Sequence, residues 1–353
     1  MGYYAGMAAN PTPLKYLFPG WYAIVMGLSG LALAFHRAVP LMGEFAEGAA
    51  LAIGLLAAAV FATLAVATVL RGLRHPEAWA EDRRHPVRHT FIATLPIAMM
   101  LLATVATALQ LRAWPVHALW WIGSLSQVAV TVWVLVRWFK GNQAGGLQWA
   151  IATPALFIPI VGNVLAPLAG VPLGYTEWSA AQFGIGLLFW PVVTILLVVR
   201  IALQGLWPER LLPATFIFIA PPAVSGLSAL QFGAPPLVGW ALWGMALFSF
   251  LWVAGLARRI AAMPFGLPHW GMSFPLAAFA ALTLRVAPSG PVAMLGVALL
   301  ALSSLVIAAL LLATVRGLRD GSLLAPEPVA PIVPAAAATP NATTTASSTA
   351  SAN

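Results

Sequence analysis

Apolar stretches long enough to cross the hydrocarbon core as helices, about 20 residues each, recur along the chain and are separated by short polar or Gly/Pro-rich breaks. They fall near residues 16–36, 47–71, 89–111, 117–138, 149–170, 180–204, 212–231, 236–257, 270–287 and 291–315, which predicts ten transmembrane helices. With ten crossings, one side of the membrane receives both termini and the loops after even-numbered helices. That side holds Lys15, Arg71, Arg74, Arg83, Arg84, Arg88, Arg137, Lys140, Arg200, Arg210, Arg258, Arg259, Arg316 and Arg319, whereas the other side holds only Arg37, Arg112 and Arg285. The excess of basic residues places both termini in the cytoplasm, and a bacterial inner (plasma) membrane is the expected location. Lys15 directly precedes the first apolar run and no small-residue cleavage pattern follows it, so that run is expected to be retained. The expected organisation is a short cytoplasmic N-terminus (1–15), one transmembrane domain (16–319) and a disordered cytoplasmic tail (320–353), which is rich in Ala, Pro, Thr and Ser from Pro326 onward.

Proline divides these crossings by parity. All five odd-numbered stretches carry it within or near the helix: Pro19, Pro96, Pro154 with Pro159, Pro221 with Pro222, and Pro275. Of the even ones only the sixth does, at Pro191. An interior proline removes a backbone hydrogen bond and crowds the carbonyl four residues earlier; in lipid the freed groups need protein or water as partners. The parity predicts an all-α integral membrane protein built from five parallel helical hairpin repeats around a central pore. The odd helices, kinked at Pro19, Pro96, Pro159, Pro221 and Pro275, are inside, and the straighter even helices are outside against lipid.

A phenylalanine stands shortly before the proline in four of the five odd stretches: Phe18, Phe157, Phe218 and Phe274. Rings in a narrow pore make an apolar constriction that an ion crosses only by shedding water, and such constrictions can gate by dewetting. Packing against lipid or a neighbouring helix accounts for any single one of them equally well. Thr94, Thr153, Asn163, Thr215, Ser225 and Ser273 are the polar candidates for the path, and interhelical hydrogen bonds are their alternative use.

Composition narrows the chemistry. Of 353 residues, 61% are hydrophobic and 7% charged, against roughly 25% charged in soluble domains, so lipid is the solvent for most of the chain. The net charge of +8 is scattered singly between apolar runs, without the basic stripe that marks nucleic-acid binding. There is no cysteine, and neither an HExxH motif nor a His/Asp cluster, so no metal or cofactor is expected. All nine acidic residues (Glu44, Glu47, Glu77, Glu81, Asp82, Glu177, Glu209, Asp320 and Glu327) lie outside the stretches. Intramembrane carboxylates are the usual mark of cation sites and proton relays, and their absence points to anions. Arg37, Arg112 and Arg285 at the outer ends of odd helices could draw anions to a pore mouth, although Glu44, Glu47 and Glu177 share that side.

Four segments carry a resemblance: LFPGWYAIVMGLSG (17–30), HPVRHTFIATLPI (85–97), PATFIFIAPPAVSG (213–226) and HWGMSFPLAAFAALTLRVA (269–287). They resemble the family of bacterial tellurite-resistance protein TehA, yeast-type malic acid transporters and plant slow-type anion channels. The resemblance implies a ring of five helical hairpins, commonly assembled as a homotrimer with a pore in each subunit. It further implies a pore occluded by a phenylalanine just before the proline of the ninth helix, here Phe274, and small anions such as chloride, nitrate or dicarboxylates as substrates. A proton-coupled C4-dicarboxylate (malate or succinate) transporter and a tellurite-resistance exporter remain alternatives within transport. From another class, Gly27-Leu28-Ser29-Gly30 matches the GxSG pattern of intramembrane serine proteases, but no histidine stands at similar depth on another helix, so no enzymatic activity is expected.

Overall fold

The computed structural model describes residues 12–325 except 142, 144, 145, 150 and 151; most of the expected N-terminal segment and of the tail lies outside these. The described residues are helical throughout, with no strand. The α-helices are α1 (Ala23–Met42), α2 (Glu44–Arg74), α3 (Pro76–Arg84), α4 (Thr94–Ala108), α5 (Trp114–Trp138), α6 (Phe157–Val161), α7 (Ala166–Gly170), α8 (Thr176–Gln204), α9 (Ala220–Gln231), α10 (Pro236–Ala254), α11 (Ala257–Ala261), α12 (Ser273–Val286) and α13 (Gly290–Arg319). Eight helical segments are long and apolar enough to cross a membrane, which makes this an all-α membrane protein. The segments 154–170 and 267–286 are the interrupted or shorter counterparts. The turn from α1 to α2 is made by Gly43 at φ +57°, a left-handed conformation that glycine adopts without a Cβ penalty.

Burial sorts the long segments by their order in the chain. Those at Pro19–Met42, Arg88–Ala108 and Glu209–Gln231 are 61–94% buried inside the protein, while α2, α5, α8, α10 and α13 are 17–33% buried. In α12 every residue from Ser273 to Leu284 is buried. The buried segments form a closed circuit in which α1 packs on α4, α4 on α7, α7 on α9, α9 on α12, and α12 back on α1. Each is backed by the helix that follows it in sequence: α2, α5, α8, α10 and α13 respectively. The outer helices present Leu55, Val69, Leu188, Ile195, Leu251 and Leu305 outward, side chains that only a lipid environment would cover at no cost.

The prolines do not sit where interior kinks would put them. Short 3-10 segments, Pro19–Tyr22, Arg88–Ala93, Pro154–Leu156, Glu209–Ile219 and Leu267–Met272, precede α1, α4, α6, α9 and α12. Pro96, Pro159, Pro221 and Pro275 then fall within the first three residues of the following α-helix, and Pro19 opens its 3-10 segment. Each 3-10 segment runs directly into its α-helix, so a proline at the junction removes one donor where the hydrogen-bond pattern changes from i→i−3 to i→i−4. Pro96, Pro159, Pro221 and Pro275 therefore mark the change from 3-10 to α winding, and none of the five stands in the interior of a continuous α-helix.

Segment 154–170 alternates between 3-10 and α winding, and side chains of α5 and α8 supply the partners its irregular backbone needs. Gln127 Nε2 donates to Pro159 O at 2.8 Å, and Thr131 Oγ1 donates to the same carbonyl at 2.5 Å. Asn163 Nδ2 donates to Ile160 O (2.9 Å) and Thr131 Oγ1 (2.8 Å), and its Oδ1 accepts from Gln182 Nε2 (3.2 Å). Gln182 in turn accepts from Ser124 at 2.6 Å, and Ser124 from Trp178 at 2.7 Å. Gly162 gives the amide of Gln127 room, since a Cβ there would lie 2.4 Å from Nε2. Asn163→Ala removes the hub of this fully buried cluster. It should lower stability by about 1–2 kcal/mol, measured as a lower thermal unfolding midpoint in detergent.

Candidate functional site

The inner faces of the ring enclose two cavities. One, of about 640 Å³, lies toward the end of the molecule that carries Arg71, Arg83, Arg84 and Arg88; the other, of about 200 Å³, lies toward the opposite end beside Arg37 and Arg112. No described residue of α2, α5, α8, α10 or α13 lines either of them. All five buried segments contribute to both, so the cavities lie on one line through the ring; the loop 263–266 and Ser322, Leu323 and Ala325 also line the large one. Along those segments the last residue lining the large cavity and the first lining the small one are Met26 and Leu33, Ile97 and Thr104, Leu165 and Leu168, Val224 and Leu227, and Pro275 and Ala281. At 1.5 Å per residue the layer between them is roughly 5–10 Å thick.

Phe274 stands at the edge of that layer. Its ring lines the deep end of the large cavity and is 8% exposed. From the adjacent helix, α1 offers it Gly30: a Cβ at that position would lie 3.0 Å from Phe274 Cδ2 and 3.2 Å from Ala277 Cβ. The base of α12 is fixed around it. Ser273 Oγ donates to Trp270 O at 2.7 Å and lies where a Cβ on Gly27 would fall, and Trp270 Nε1 donates to Thr314 Oγ1 of α13 at 2.9 Å. The two glycines of the Gly27-Leu28-Ser29-Gly30 sequence thus serve close approach of α12 to α1. Ser29 Oγ is buried with no hydrogen-bond partner among the described residues.

The other sequence candidates divide. Phe18 and Phe157 line the large cavity. Phe18 lies near its basic end, edge-on to Phe91 at 5.8 Å and with the Arg88 guanidinium 5.6 Å from its ring centre. Phe218 does not line it; its ring packs on Phe157 (5.1 Å) and on Trp252 of the outer helix α10 (5.2 Å). Ser273 is turned into the α1 interface, and of the five prolines singled out by the sequence only Pro275 lines a cavity. Thr94 and Thr153 line the large cavity, while Asn163, Thr215 and Ser225 line neither. Arg37 and Arg112 line the small cavity, whereas Arg285 is exposed outside it.

Sequence reasoning missed most of the polar lining of the small cavity: Thr104, Thr107, Gln110 and Gln231, which join His36 there. It also missed the arrangement that holds Arg88. Asp82 of α3 is fully buried, 3.5 Å from Arg88 and 2.7 Å from Arg71 Nη1, and Glu81 lies 3.5 Å from Arg88. The signal was the acidic pair Glu81-Asp82 inside an otherwise basic break, which predicts internal ion pairs where one sign of charge should repel.

The sequence profile of the SLAC1 family, described as voltage-dependent anion channels, matches residues 16–315. The S-type anion channel SLAH3 of Arabidopsis thaliana is 25% identical over 264 residues, which is 74% of this chain and 41% of the plant protein. A tellurite resistance protein TehA homolog of Haemophilus influenzae is 26% identical over 279 residues, covering 77% of this chain and 80% of that protein. The chain thus spans about two fifths of the length of the plant relative and most of the bacterial one.

Proposed function

Because the chain belongs to the voltage-dependent anion channel family, we propose that it conducts small anions along the line of the two cavities, with Phe274 as the plug between them. Ten crossings, with segments 154–170 and 267–286 completing the set, put both termini on the basic, cytoplasmic side. The observation that carries this reading is the pair of cavities in line through the ring, neither lined by an outer helix, with Phe274 lining the large one next to the layer that divides them. Their charge suits an anion. Arg88 and Arg210 line the large cavity and Arg37 and Arg112 the small one, and among the described residues the single lining carboxylate is Glu209, which is paired with Arg259 at 3.5 Å. Fixed cations in a low-dielectric passage raise the local anion concentration.

Chloride and nitrate are the proposed ions. The protein reconstituted in liposomes under a potassium chloride gradient should give a reversal potential near that of chloride, in wild type or, if the wild type is closed, in Phe274→Ala. A cation-selective potential, or no chloride or nitrate flux in either protein, overturns the proposal. Saturable, proton-dependent malate uptake without current would assign a carrier instead.

A further inference from the structure

We propose that the small cavity is a binding site for an anion with two coplanar oxygens, nitrate or a carboxylate, in which Gln110 and Gln231 donate amide hydrogens beside Arg37 and Arg112. This deepens the reading of the ring as an anion pathway. All four side chains line the cavity. None of the four is hydrogen-bonded or ion-paired through its side chain to another described residue. Among the described residues that line the cavity none is a carboxylate. By contrast, Arg88 at the large cavity is already engaged by Asp82 and Glu81. Arg37 and Gln231 are half-buried and Gln110 and Arg112 are exposed, so four donors without internal partners converge on one concavity that is open to an acceptor from solution. Thr104 and Thr107 give their hydroxyl hydrogens to Met100 O and Ala103 O, so the donors lining the cavity are the amides, the guanidinium groups and the imidazole N–H of His36. A guanidinium fork matches two coplanar oxygens and gains less from a spherical halide. The volume of about 200 Å³ far exceeds the roughly 10–15 Å³ that one water requires, so an oxyanion fits with part of its hydration.

Gln110 supplies an independent observation. Among the described residues it is the only one other than glycine with a positive φ, +65°. It follows the end of α4 in a left-handed turn closed by Gln110 N–H to Thr107 O (3.1 Å) and Leu111 N–H to Ala106 O (2.8 Å). Glycine is the residue this position favours. A glutamine there accepts backbone strain and in exchange places an amide on the cavity.

The test titrates nitrate, replacing chloride at constant ionic strength, against the thermal unfolding midpoint of the full chain in detergent. Acetate is titrated in parallel. Wild type should show a saturable rise with either oxyanion. Gln110→Gly should need about ten-fold more nitrate while its midpoint in chloride is equal to or above wild type, because glycine relieves the turn. If Gln110→Gly is poorly expressed, Gln231→Ala should show the same loss of affinity. No saturable rise in wild type, or an unchanged nitrate requirement in the variants, overturns the site. The readout needs no conduction. Absent currents with intact nitrate binding would therefore sink the pathway reading and spare this one, whereas currents without nitrate binding would do the reverse.

Discussion

Phe274→Ala should raise chloride and nitrate currents through the reconstituted protein by about ten-fold or more. The ring is 8% exposed, faces the large cavity and rests against the surface opened by Gly30. Removing it joins the two cavities across a layer only three to seven residues deep along the lining segments. An ion squeezed past an apolar ring loses water that no polar group there replaces. Restoring even one or two of those water contacts is worth a few kcal/mol, and each 1.4 kcal/mol off the barrier is ten-fold in rate. The cost in stability should be below the roughly 3–5 kcal/mol typical of a phenylalanine deleted from a closed core, because one face of the ring already borders a cavity. Phe274→Leu, which keeps an apolar side chain of smaller reach, should fall between alanine and wild type. Phe218→Ala is the control: that ring packs on Trp252 and Phe157 and lines no cavity, so it should lower stability with little change in current. A monodisperse, correctly folded Phe274→Ala protein conducting no more than wild type would remove Phe274 from the gate.

Which of these features the sequence disclosed follows from what each depends on. Lipid as solvent and the location of charge between apolar stretches are properties of composition and order, and both are visible in the string. The inward position of the odd segments was also legible, because proline marks segments whose backbone is served by protein and not by lipid. The function of those prolines was not. A proline at a change of winding and one in the interior of an α-helix look alike in sequence unless the winding before it is known, and here a 3-10 segment precedes four of the five and Pro19 opens another. Phe218 shows a related limit. It lies three residues before Pro221, whereas Phe157 lies two before Pro159 and Phe274 one before Pro275. Phe218 moreover falls in 3-10 winding, at about 120° per residue, whereas Phe157 and Phe274 lie in the first turn of α-helices, at about 100°, so a shared neighbourhood of proline did not mean a shared direction. Gln110 and Gln231 were silent because they converge only through the closure of the ring, which brings the turn after α4 and the end of α9 onto one cavity that no local pattern links.

Removing Arg71 should cost more stability than any surface charge in the molecule. Arg71, at the last turn of α2, is 2% exposed and Asp82, on α3, is fully buried, with Nη1 and Oδ2 2.7 Å apart. That contact falls outside hydrogen-bond alignment, so charge holds the pair, while Arg71 Nε donates to Lys15 O at 3.0 Å. Arg71→Ala leaves a buried carboxylate whose remaining cation, Arg88, is 3.5 Å away, and stripping one partner from such a pair costs about 3–5 kcal/mol. The expected result is a marked fall in the unfolding midpoint in detergent, with Asp82→Ala falling similarly. The double variant Arg71→Met with Asp82→Leu should recover most of the loss, since apolar replacements of similar volume remove the desolvation penalty together with the pair. By contrast, Glu209→Gln, which breaks an exposed pair with Arg259, should leave the midpoint unchanged. The same network sets the large cavity's entrance: Asp82 holds Arg88, and Arg88 lies over the ring of Phe18. A double variant that regains stability yet conducts differently from wild type would locate the functional role of the pair in positioning Arg88. One that regains both would make it purely structural, and single variants as stable as wild type would show that α3 is not anchored through Asp82 at all.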